Sequence, residues 1–415
     1  MHDFDKIKLQ YKNVESLERE LTLKQLQINS LLDLTQAINN NIATQSLFDM
    51  YHSFLSWEMQ VKKMALYVNK EGRWVCATSI GIQDKILSQD ISAFLPKFNR
   101  PSQLQDMNNI LINEFDIVIP VLHKQNPIAY AFIGGFEKGD DIFNKIQFIT
   151  TITNIVAVAI ENKRLFKRQI EQERLRKEVE LAAEMQRLLV PLHLPNNDKY
   201  QLSSIYKPHL GVGGDYYDYI EMEKGRFAFC IADISGKGVA AALLMANFQA
   251  NFHSLIHQKL ELDAFIRALN KSVLRITKGE KFITFFIAYY DTTTRKLRYV
   301  NAGHAPPYLY SGGKITCLEK GCTILGSFDE LPDIDIGVEV IDEQAMILTY
   351  TDGITDVQNE KDEFFSEQII KDLLTQHAKS CNAYQFNKLL LESMEKFKGE
   401  MNYPDDITIL TCKLY

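Results

Sequence analysis

The sequence has little cysteine and no arrangement of cysteines that indicates a zinc site or a disulfide framework. Its six cysteines are scattered over 415 residues, and none of them forms a CxxC pair. The two closest, Cys317 and Cys322, have a spacing that fits no zinc ligand pattern. We therefore expect a reduced, cytoplasmic protein.

A segment apolar enough to cross a membrane is also missing from the sequence pattern. The most apolar stretch, residues 149–160, is short and includes three threonines and an asparagine. The opening residues, MHDFDKIKLQYK, carry charge where the apolar core of a signal peptide would lie. We expect neither a membrane span nor an export signal.

Basic residues do not dominate the charge of the chain. Lys and Arg number 46 against 53 Asp and Glu, which gives a formal net charge of -7. A nucleic-acid-binding protein needs a basic surface that displaces counterions, so this class, including a metal-dependent nuclease, is disfavoured. Hydrophobic residues make up 46% and charged residues 24%, which is typical of a globular chain. The length allows two or three domains.

What the sequence does contain is a set of four aspartates in turn-rich contexts. They are Asp215 in GVGGDYYDY, Asp233 in FCIADISGKG, Asp352 in ILTYTDGITD and Asp405 in NYPDDITIL. The neighbouring segments 227–232, 345–348 and 407–410 are strongly apolar, which predicts buried strands with carboxylates at their ends. Ligand sets made only of oxygen favour Mg²⁺ or Mn²⁺ over Zn²⁺. Two such ions can activate water and neutralise phosphate oxygens, so the pattern indicates phosphoryl transfer.

The N-terminal part of the chain combines helices with a β-rich region. We predict a helix over residues 1–27, and its apolar positions, spaced as in a coiled coil or a packing helix, are Ile7, Val14, Leu17, Leu21 and Ile28. Residues 28–160 begin as a helix and continue with two hairpins, whose turns are predicted at 69–72 and 124–127. A long helix follows from about Phe143. This order of elements is similar to GAF domains, which precede many bacterial signalling outputs, and implies a sensor for an unknown small molecule or protein.

A second helical region connects the two halves. Residues 154–190 contain neither Gly nor Pro, and we predict a coiled-coil linker over residues 161–193. One seam, apolar except at Gln186, follows spacings of 4, 3, 4 and 3 through Leu175, Val179, Ala182, Gln186 and Leu189. Another contains Phe166 and Ile170, so the phase changes across 171–174. The helix is either a solvated spacer or, as we favour, a parallel linker that forms a homodimer.

Six motifs in residues 182–410 occur in a recognisable order. They are AAEMQRLLVP, GVGGDYYDY, IADISGKGVAAALLMA, NAGHAPPYLY, YTDGITD and DDITIL. Together they closely resemble the metal-dependent PPM (phosphatase 2C-like) serine/threonine phosphatases, in the bacterial branch typified by the stage II sporulation protein E and the RsbU regulator. The resemblance implies an αββα sandwich over residues 194–415. It also implies a phosphorylated STAS-type anti-sigma factor antagonist as the substrate. The whole chain is thus expected to be α+β, with a GAF-like sensor, a coiled-coil linker and a PPM phosphatase domain.

The resemblance also assigns metal ligands. Asp215, Asp233, Asp352 and Asp405 match the family's aspartates, and the backbone carbonyl of Ile234 is expected to bind one of two Mn²⁺ or Mg²⁺ ions. The implied mechanism is in-line attack by a metal-bridging hydroxide, without a phosphoenzyme and without a cysteine nucleophile. The sequence has no arginine beside Asp215 of the kind that binds phosphate in eukaryotic relatives, so metals alone are expected to bind the phosphate. Gly213 and Gly214 would let the backbone approach the site closely, and the helical linker is implied to help assemble it on activation.

Other polar residues near these motifs have two readings each. Asp218, Asp356 and Asp406 would orient ligands or waters, or serve as turn or cap residues. His304 in NAGHAPP would be a general acid or, as is more common for a histidine in a Pro-flanked loop, a structural residue.

Four further positions are interpreted as structural. The segment 236–238, GKG, lacks the Walker pattern and is interpreted as a tight turn before a helix over 239–252, with Ser235 as its N-cap or as a turn residue. Thr284 and Asn270 are expected to pack or to form loop hydrogen bonds.

The leading hypothesis is a sensor-regulated, metal-dependent phosphoserine/phosphothreonine phosphatase. The alternative is a catalytically silent scaffold that binds its partner without turnover. Because a binding surface has no need for like charges that repel one another, the four aspartates disfavour the scaffold.

Overall fold

The computed structural model describes residues 2–70, 72–104, 109–123, 125–136, 142–209, 211–341 and 344–415. It divides into two compact units, Met1–Gln172 and Glu173–Tyr415. Of the four predicted segments, the boundary at 27/28 falls inside the first helix and that at 160/161 inside the long connecting helix. The four-part division stays a prediction.

The first unit is built on one antiparallel sheet. Its strands are β1 (Lys63–Lys70), β2 (Arg73–Ile80), β3 (Ser102–Gln103), β4 (Ile117–His123) and β5 (Asn126–Gly134), in the order β2-β1-β5-β4-β3. Its helices are α1 (His2–Asn39), α2 (Thr44–Ser53), α3 (Asp84–Leu87) and the first part of α4 (Ile142–Arg187). Both predicted hairpins are confirmed as β1–β2 and β4–β5. Within their predicted turns, Glu71 and Lys124 lie outside the described residues.

Apolar side chains cover both faces of this sheet because alternate residues of a strand point to opposite sides. In β1, Met64, Leu66 and Val68 pack in one cluster with residues of α1, α2 and α4. Ala65 and Tyr67 pack in a second cluster with residues from the segment 91–115. The sheet is therefore a middle layer between helices and irregular chain.

The second unit contains two sheets. The first has the order β13-β10-β9-β8-β7, with β14 beside β10, and the second has the order β12-β11-β15-β16-β6. The strands are β6 (Tyr200–Lys207), β7 (Tyr216–Glu221), β8 (Arg226–Ile234), β9 (Ile283–Asp291), β10 (Lys296–Ala302), β11 (Tyr308–Ser311), β12 (Lys314–Cys317), β13 (Gly321–Cys322), β14 (Gly337–Val340), β15 (Ala345–Tyr350) and β16 (Ile407–Leu414). The helices are α5 (Gly238–Ile256), α6 (Leu262–Thr277), α7 (Glu367–His377) and α8 (Ala383–Lys398).

The two sheets pack face to face between two helical layers. In β15, Ala345 and Ile347 belong to the core that also contains the first sheet, α5 and α6. The alternate residues Met346 and Leu348 belong to the core with α7 and α8. This alternation gives the helix–sheet–sheet–helix order expected of an αββα sandwich.

Within the described ranges, two helices, α4 and α5, are apolar enough over 18 residues to cross a membrane by length and composition alone, which the sequence pattern did not lead us to expect. Each of the two helices also has buried residues. Met245, Phe248 and Phe252 of α5 are almost inaccessible to solvent, as in the core helix of a globular domain. Length and composition are therefore only weak support for a span in either helix.

Candidate metal centre

The register of two strands places Asp215 beside Asp233. Strand β7 pairs with β8 in antiparallel fashion, and Tyr216 lies opposite Ala232. Continuing this register by one residue brings Asp215, just before β7, opposite Asp233 at the end of β8. The first sheet therefore supplies two neighbouring carboxylates at one of its ends.

The second sheet meets the same place. Thr351 and Asp352 follow β15, and Thr408 lies in β16 just after Asp405 and Asp406. Asp215 Oδ2 accepts hydrogen bonds from Thr351 Oγ1 at 2.8 Å and from Thr408 Oγ1 at 2.5 Å. These two bonds join the sheets, so the strand ends that carry the predicted aspartates come together at one edge of the sandwich.

The carboxylates interact strongly with one another. Burial, followed by the charge of Asp233, raises the pKa of Asp215 well above its usual value. Burial and the charges of Asp352, Asp405 and Asp406 raise the pKa of Asp233 to about 7. Ionising buried carboxylates that lie close together costs free energy, and a bound cation would offset that cost. Such a cluster is therefore typical of a cation site.

The glycine-rich loop before Asp215 lies directly against these groups. Asp406 accepts backbone hydrogen bonds from His209 N at 2.8 Å and from Gly214 N at 2.7 Å. A Cβ added at Gly213 would lie 2.2 Å from Asp406 Oδ2, and one added at Gly214 would lie 2.6 Å from the carbonyl oxygen of Ile234. No side chain larger than hydrogen fits at either glycine, as their predicted role requires.

The end of α4 binds the same loop. Gln186 is buried, its Nε2 donates to Gly213 O at 2.6 Å, and its Oε1 accepts from Gly213 N at 3.1 Å. One side chain thus satisfies both polar groups of a backbone position two residues before Asp215.

In this structure, three of the aspartates at this edge form ion pairs or hydrogen bonds with other groups of the protein. Among the described residues, no group of three or more His, Cys, Asp or Glu side chains is arranged to hold a metal ion. Asp405 Oδ2 lies 2.7 Å from Lys237 Nζ, and Asp215 and Asp406 accept the hydrogen bonds given above. The donor set nevertheless fits a divalent cation, because it consists of carboxylates and a carbonyl whose mutual repulsion a cation would relieve.

Asp218 and Asp356 have different surroundings. Asp218 is buried and accepts a hydrogen bond from the Tyr216 hydroxyl within β7. It also lies 2.7 Å from His253 Nε2, and this contact ties β7 to α5. This placement favours its structural reading. Asp356 N donates to Asp352 O at 2.9 Å and closes the turn after β15. Loss of surrounding water, and then the charges of Asp356 and Asp405, raise the pKa of Asp352.

His304 is buried in the loop after β10. Its Nδ1 lies 2.8 Å from Thr284 Oγ1, and its backbone N donates to Asn301 Oδ1 at 2.8 Å. Burial lowers its pKa to about 4, so at neutral pH the ring does not carry the proton that a general acid would donate. The placement favours the structural reading of His304.

The other polar residues of the motifs form loop hydrogen bonds, as interpreted from the sequence. Asn270 Nδ2 donates to Phe328 O at 2.9 Å, and Asn270 Oδ1 accepts from Gly326 N at 2.8 Å. Ser235 Oγ accepts from Phe282 N at 3.0 Å, while Lys237 occupies the N-cap position of α5. Ser235 is therefore not the N-cap of α5, and its hydroxyl bonds a distant segment of the chain, where the sequence predicted a cap or a turn hydrogen bond.

Sequence reasoning missed four residues at this edge: Thr351, Thr408, Gln186 and Lys237. The two threonines stand directly beside predicted ligands, in YTDG and DDIT, so their position was an available signal. Gln186 was noticed only as the one polar residue of an apolar seam. Lys237 and Asp405 belong to different motifs far apart in the sequence, so nothing in the sequence indicated that they are in contact.

Comparison with known proteins supports this description of the C-terminal unit. The family model of stage II sporulation protein E matches residues 223–415. Phosphoserine phosphatase RsbU of Bacillus subtilis (strain 168) is 26% identical over 276 residues, covering 66% of this chain and 80% of RsbU. Phosphoserine phosphatase RsbP of the same organism is 26% identical over 243 residues, and the match covers 57% of each protein.

A solved structure shows the same fold. The SiaA-PP2C domain of Pseudomonas aeruginosa has a TM-score of 0.52 and 20% sequence identity, covering 59% of this chain and 99% of that domain. Solved proteins with weaker likeness to this chain include a serine/threonine phosphatase catalytic domain with two manganese ions and RsbX with magnesium. Residues 223–415 of this chain therefore match a SpoIIE-type domain and are similar to the phosphoserine phosphatases RsbU and RsbP, and the C-terminal unit has the PP2C phosphatase fold.

Proposed function

We propose that this chain is a metal-dependent protein phosphoserine/phosphothreonine phosphatase. The observation that carries the proposal is the meeting of Asp215 and Asp233 from one sheet with Asp352 and Asp405 from the other, at a single edge. There burial and neighbouring carboxylates raise the pKa values of Asp215, Asp233 and Asp352. A scaffold that only binds a partner gains nothing from this cost.

The residues of this edge have distinct roles in the proposed reaction. Asp215, Asp233, Asp352, Asp405 and the carbonyl of Ile234 would hold two Mn²⁺ or Mg²⁺ ions, which when bound would lower the pKa of a water and neutralise phosphoryl oxygens. Thr351 and Thr408 hold the Asp215 carboxylate in one orientation. Because burial keeps the pKa of the Cys230 thiol well above its usual value, this nearby cysteine stays protonated and is no nucleophile.

The substrate of this reaction is proposed from the relatives. RsbU and RsbP are phosphoserine phosphatases, and we infer that this chain acts on a phosphoserine or phosphothreonine of a STAS-type protein in the cytoplasm. The candidate substrate can be found by capturing proteins with the Asp233→Asn variant and testing which of them are phosphorylated.

The decisive measurement is phosphate release from such a phosphoprotein by the full chain with Mn²⁺, with Mg²⁺ and with a chelator. Asp233→Asn is the inactive variant, and Asp198→Asn, at an exposed loop position, is the matched control. We expect metal-dependent release by the wild type and by Asp198→Asn alone. Equal release by the wild type and Asp233→Asn would end the proposal.

The N-terminal unit is proposed to be a GAF-like sensor. Its five-stranded antiparallel sheet has helices on one face, and on the other an aromatic cluster that includes Phe98, Phe115 and Tyr130. We propose that a small molecule or protein bound to this unit changes the position of α4. Because Gln186 at the end of α4 holds the loop before Asp215, such a change would alter the metal-binding edge.

We also propose that the chain is a homodimer through its helical linker. Leu181, Met185 and Leu188 of the helical region are 56%, 59% and 65% exposed and follow spacings of 4 and 3, as in a coiled-coil seam. A second copy of the same stripe would cover these apolar side chains.

A further inference from the structure

The loop between β8 and α5, residues 235–237, brings a lysine to the metal-binding edge. Lys237 Nζ lies 2.7 Å from Asp405 Oδ2 and donates to Pro404 O at 3.0 Å. The Lys237 side chain remains 52% exposed, so its ammonium group lies at the rim of the carboxylate cluster and in reach of solvent. The group therefore has access both to the aspartates and to anything that approaches them.

A second lysine lies against the same loop. Gly236 has a φ of +110°, and a Cβ added there would lie 3.2 Å from Lys281 Nζ. Two bonds fix this arrangement, because Ser235 N donates to Phe282 O and Phe282 N donates to Ser235 Oγ, both at 3.0 Å. The loop thus contains Lys237 and lies against Lys281.

The backbone adds positive potential at this point. Helix α5 begins at Gly238, directly after Lys237, and no side-chain hydrogen bond caps its first turn. The first amides of a helix carry a partial positive charge and commonly bind phosphate oxygens. The loop before α5 therefore carries Lys237, contacts Lys281 and leads into a helix start, on a chain whose net charge is -7.

A phosphate monoester dianion needs this kind of surface to approach a cluster of aspartates. Cations bound at the aspartates offset part of the repulsion, but the non-bridging oxygens of the ester also need donors on their outer side. In eukaryotic PPM phosphatases an arginine beside the first aspartate has that role, and this sequence has none there. Lysine binds phosphate as a point charge and needs no bidentate geometry.

We propose that Lys237 and Lys281 bind the phosphoryl group of the substrate at the start of α5. The inference rests on the proposed phosphatase function and replaces the expectation that metals alone bind the phosphate. Lys237 has a second effect in this arrangement. Because its ammonium and a divalent cation compete for Asp405, Lys237 lowers metal affinity until the cation displaces it towards the substrate.

The competition gives a signature that a merely structural lysine would not give. Removing the Lys237 charge should weaken phosphate binding and at the same time tighten metal binding. A lysine that only held the loop in place would weaken both when replaced.

The test uses the full chain and the variants Lys237→Gln, Lys281→Gln, the double variant and Lys237→Arg. Lys388→Gln, at an exposed position of α8, is the matched control. Titration calorimetry gives the dissociation constants of Mn²⁺ and, with Mn²⁺ present, of inorganic phosphate, and steady-state kinetics on the phosphoprotein give KM and kcat. Lys281→Gln, which leaves Asp405 and Pro404 paired with Lys237, keeps the test valid if Lys237→Gln is poorly folded.

For Lys237→Gln we expect the phosphate dissociation constant to rise about tenfold, because one charge-assisted hydrogen bond is lost. We also expect the Mn²⁺ dissociation constant to fall. Lys281→Gln should raise only the phosphate constant and KM, Lys237→Arg should stay near the wild type, and Lys388→Gln should equal it. Phosphate constants unchanged in the single and double variants overturn the inference while wild-type turnover stands. Absence of wild-type turnover, by contrast, counts against the proposed function itself.

Discussion

At the scale of single residues, the most demanding group is the buried carboxylate of Asp215, which two threonine hydroxyls satisfy. Replacing Thr408 with valine keeps the shape of the side chain but removes the hydrogen bond to Asp215 Oδ2. A buried acceptor that loses one donor should destabilise the metal-free protein by about 1–3 kcal/mol. Chemical denaturation with a chelator present measures this change. Thr375→Val, at an exposed position of α7, is the control and should change the free energy of unfolding little.

A second prediction concerns the pH dependence of stability, which follows from the raised pKa of Asp233. A carboxyl whose folded-state pKa of about 7 exceeds its unfolded value near 4 favours folding when protonated and costs stability when ionised. The cost is absent below the unfolded pKa and is fully present above about pH 7. Relative to Asp233→Asn, the metal-free wild type should therefore lose stability as the pH rises from 5 to 8.

Denaturation curves of the wild type and Asp233→Asn at several pH values, all with chelator, give this difference directly. Mn²⁺ should increase the free energy of unfolding of the wild type most strongly at pH 8, since the ionised carboxylate binds the ion. It should increase that of Asp233→Asn much less. A stability difference that is constant from pH 5 to 8 would contradict the raised pKa. Asp198→Asn provides the comparison for a change in net charge alone.

At the scale of elements, the strands around the site were predictable and the contacts of α4 were not. Segments 227–232, 345–348 and 407–410 became the buried strands β8, β15 and β16 because apolar residues on both faces leave no other stable placement. The spacing of apolar residues along a helix, however, does not show which surface covers them. Val179 lies beside Gly211, and Leu189 packs on the core of the second unit. These members of the predicted dimer seam therefore contact their own chain.

Gln186 belongs to the seam predicted from the sequence, and its two hydrogen bonds to Gly213 lead to a prediction about metal affinity. Gln186→Glu keeps the size of the side chain but replaces the donor to Gly213 O with an acceptor, which repels the carbonyl. We expect the loop before Asp215 to shift and the Mn²⁺ dissociation constant to rise about tenfold, the equivalent of one lost hydrogen bond to a buried group.

Calorimetric titration of Mn²⁺ into the full chain measures the change, with Glu180→Gln, at an exposed position of the same helix, as the control. Equal Mn²⁺ affinity in the wild type and Gln186→Glu would show that α4 does not influence the metal-binding edge. Phosphatase rates of the same proteins at saturating Mn²⁺ separate an effect on metal binding from an effect on the reaction.

At the scale of the whole molecule, the αββα sandwich was predicted from the resemblance of six ordered motifs to a known family. The sequence could not indicate the bonds that join distant segments, such as Thr408 with Asp215 or Lys237 with Asp405, since neither pair shares a local pattern. The sequence also could not show which apolar residues of the helix are available to a second copy, because this depends on which of them the rest of the chain covers. Leu181, Met185 and Leu188 remain exposed where Val179 and Leu189 are partly covered.

The last prediction uses that difference. If two copies associate in parallel through the exposed stripe, single cysteines at Leu181 or Leu188 will meet their counterparts and form disulfide-linked dimers on mild oxidation. A cysteine at Glu180, which is exposed on the same helix but turned away from the stripe, should crosslink far less. Non-reducing gels of the full chain compare the three variants, and sedimentation of the unmodified protein gives its mass. Because a flexible monomer would crosslink through random collisions, equal yields at all three positions together with a monomeric mass would rule out the helical dimer.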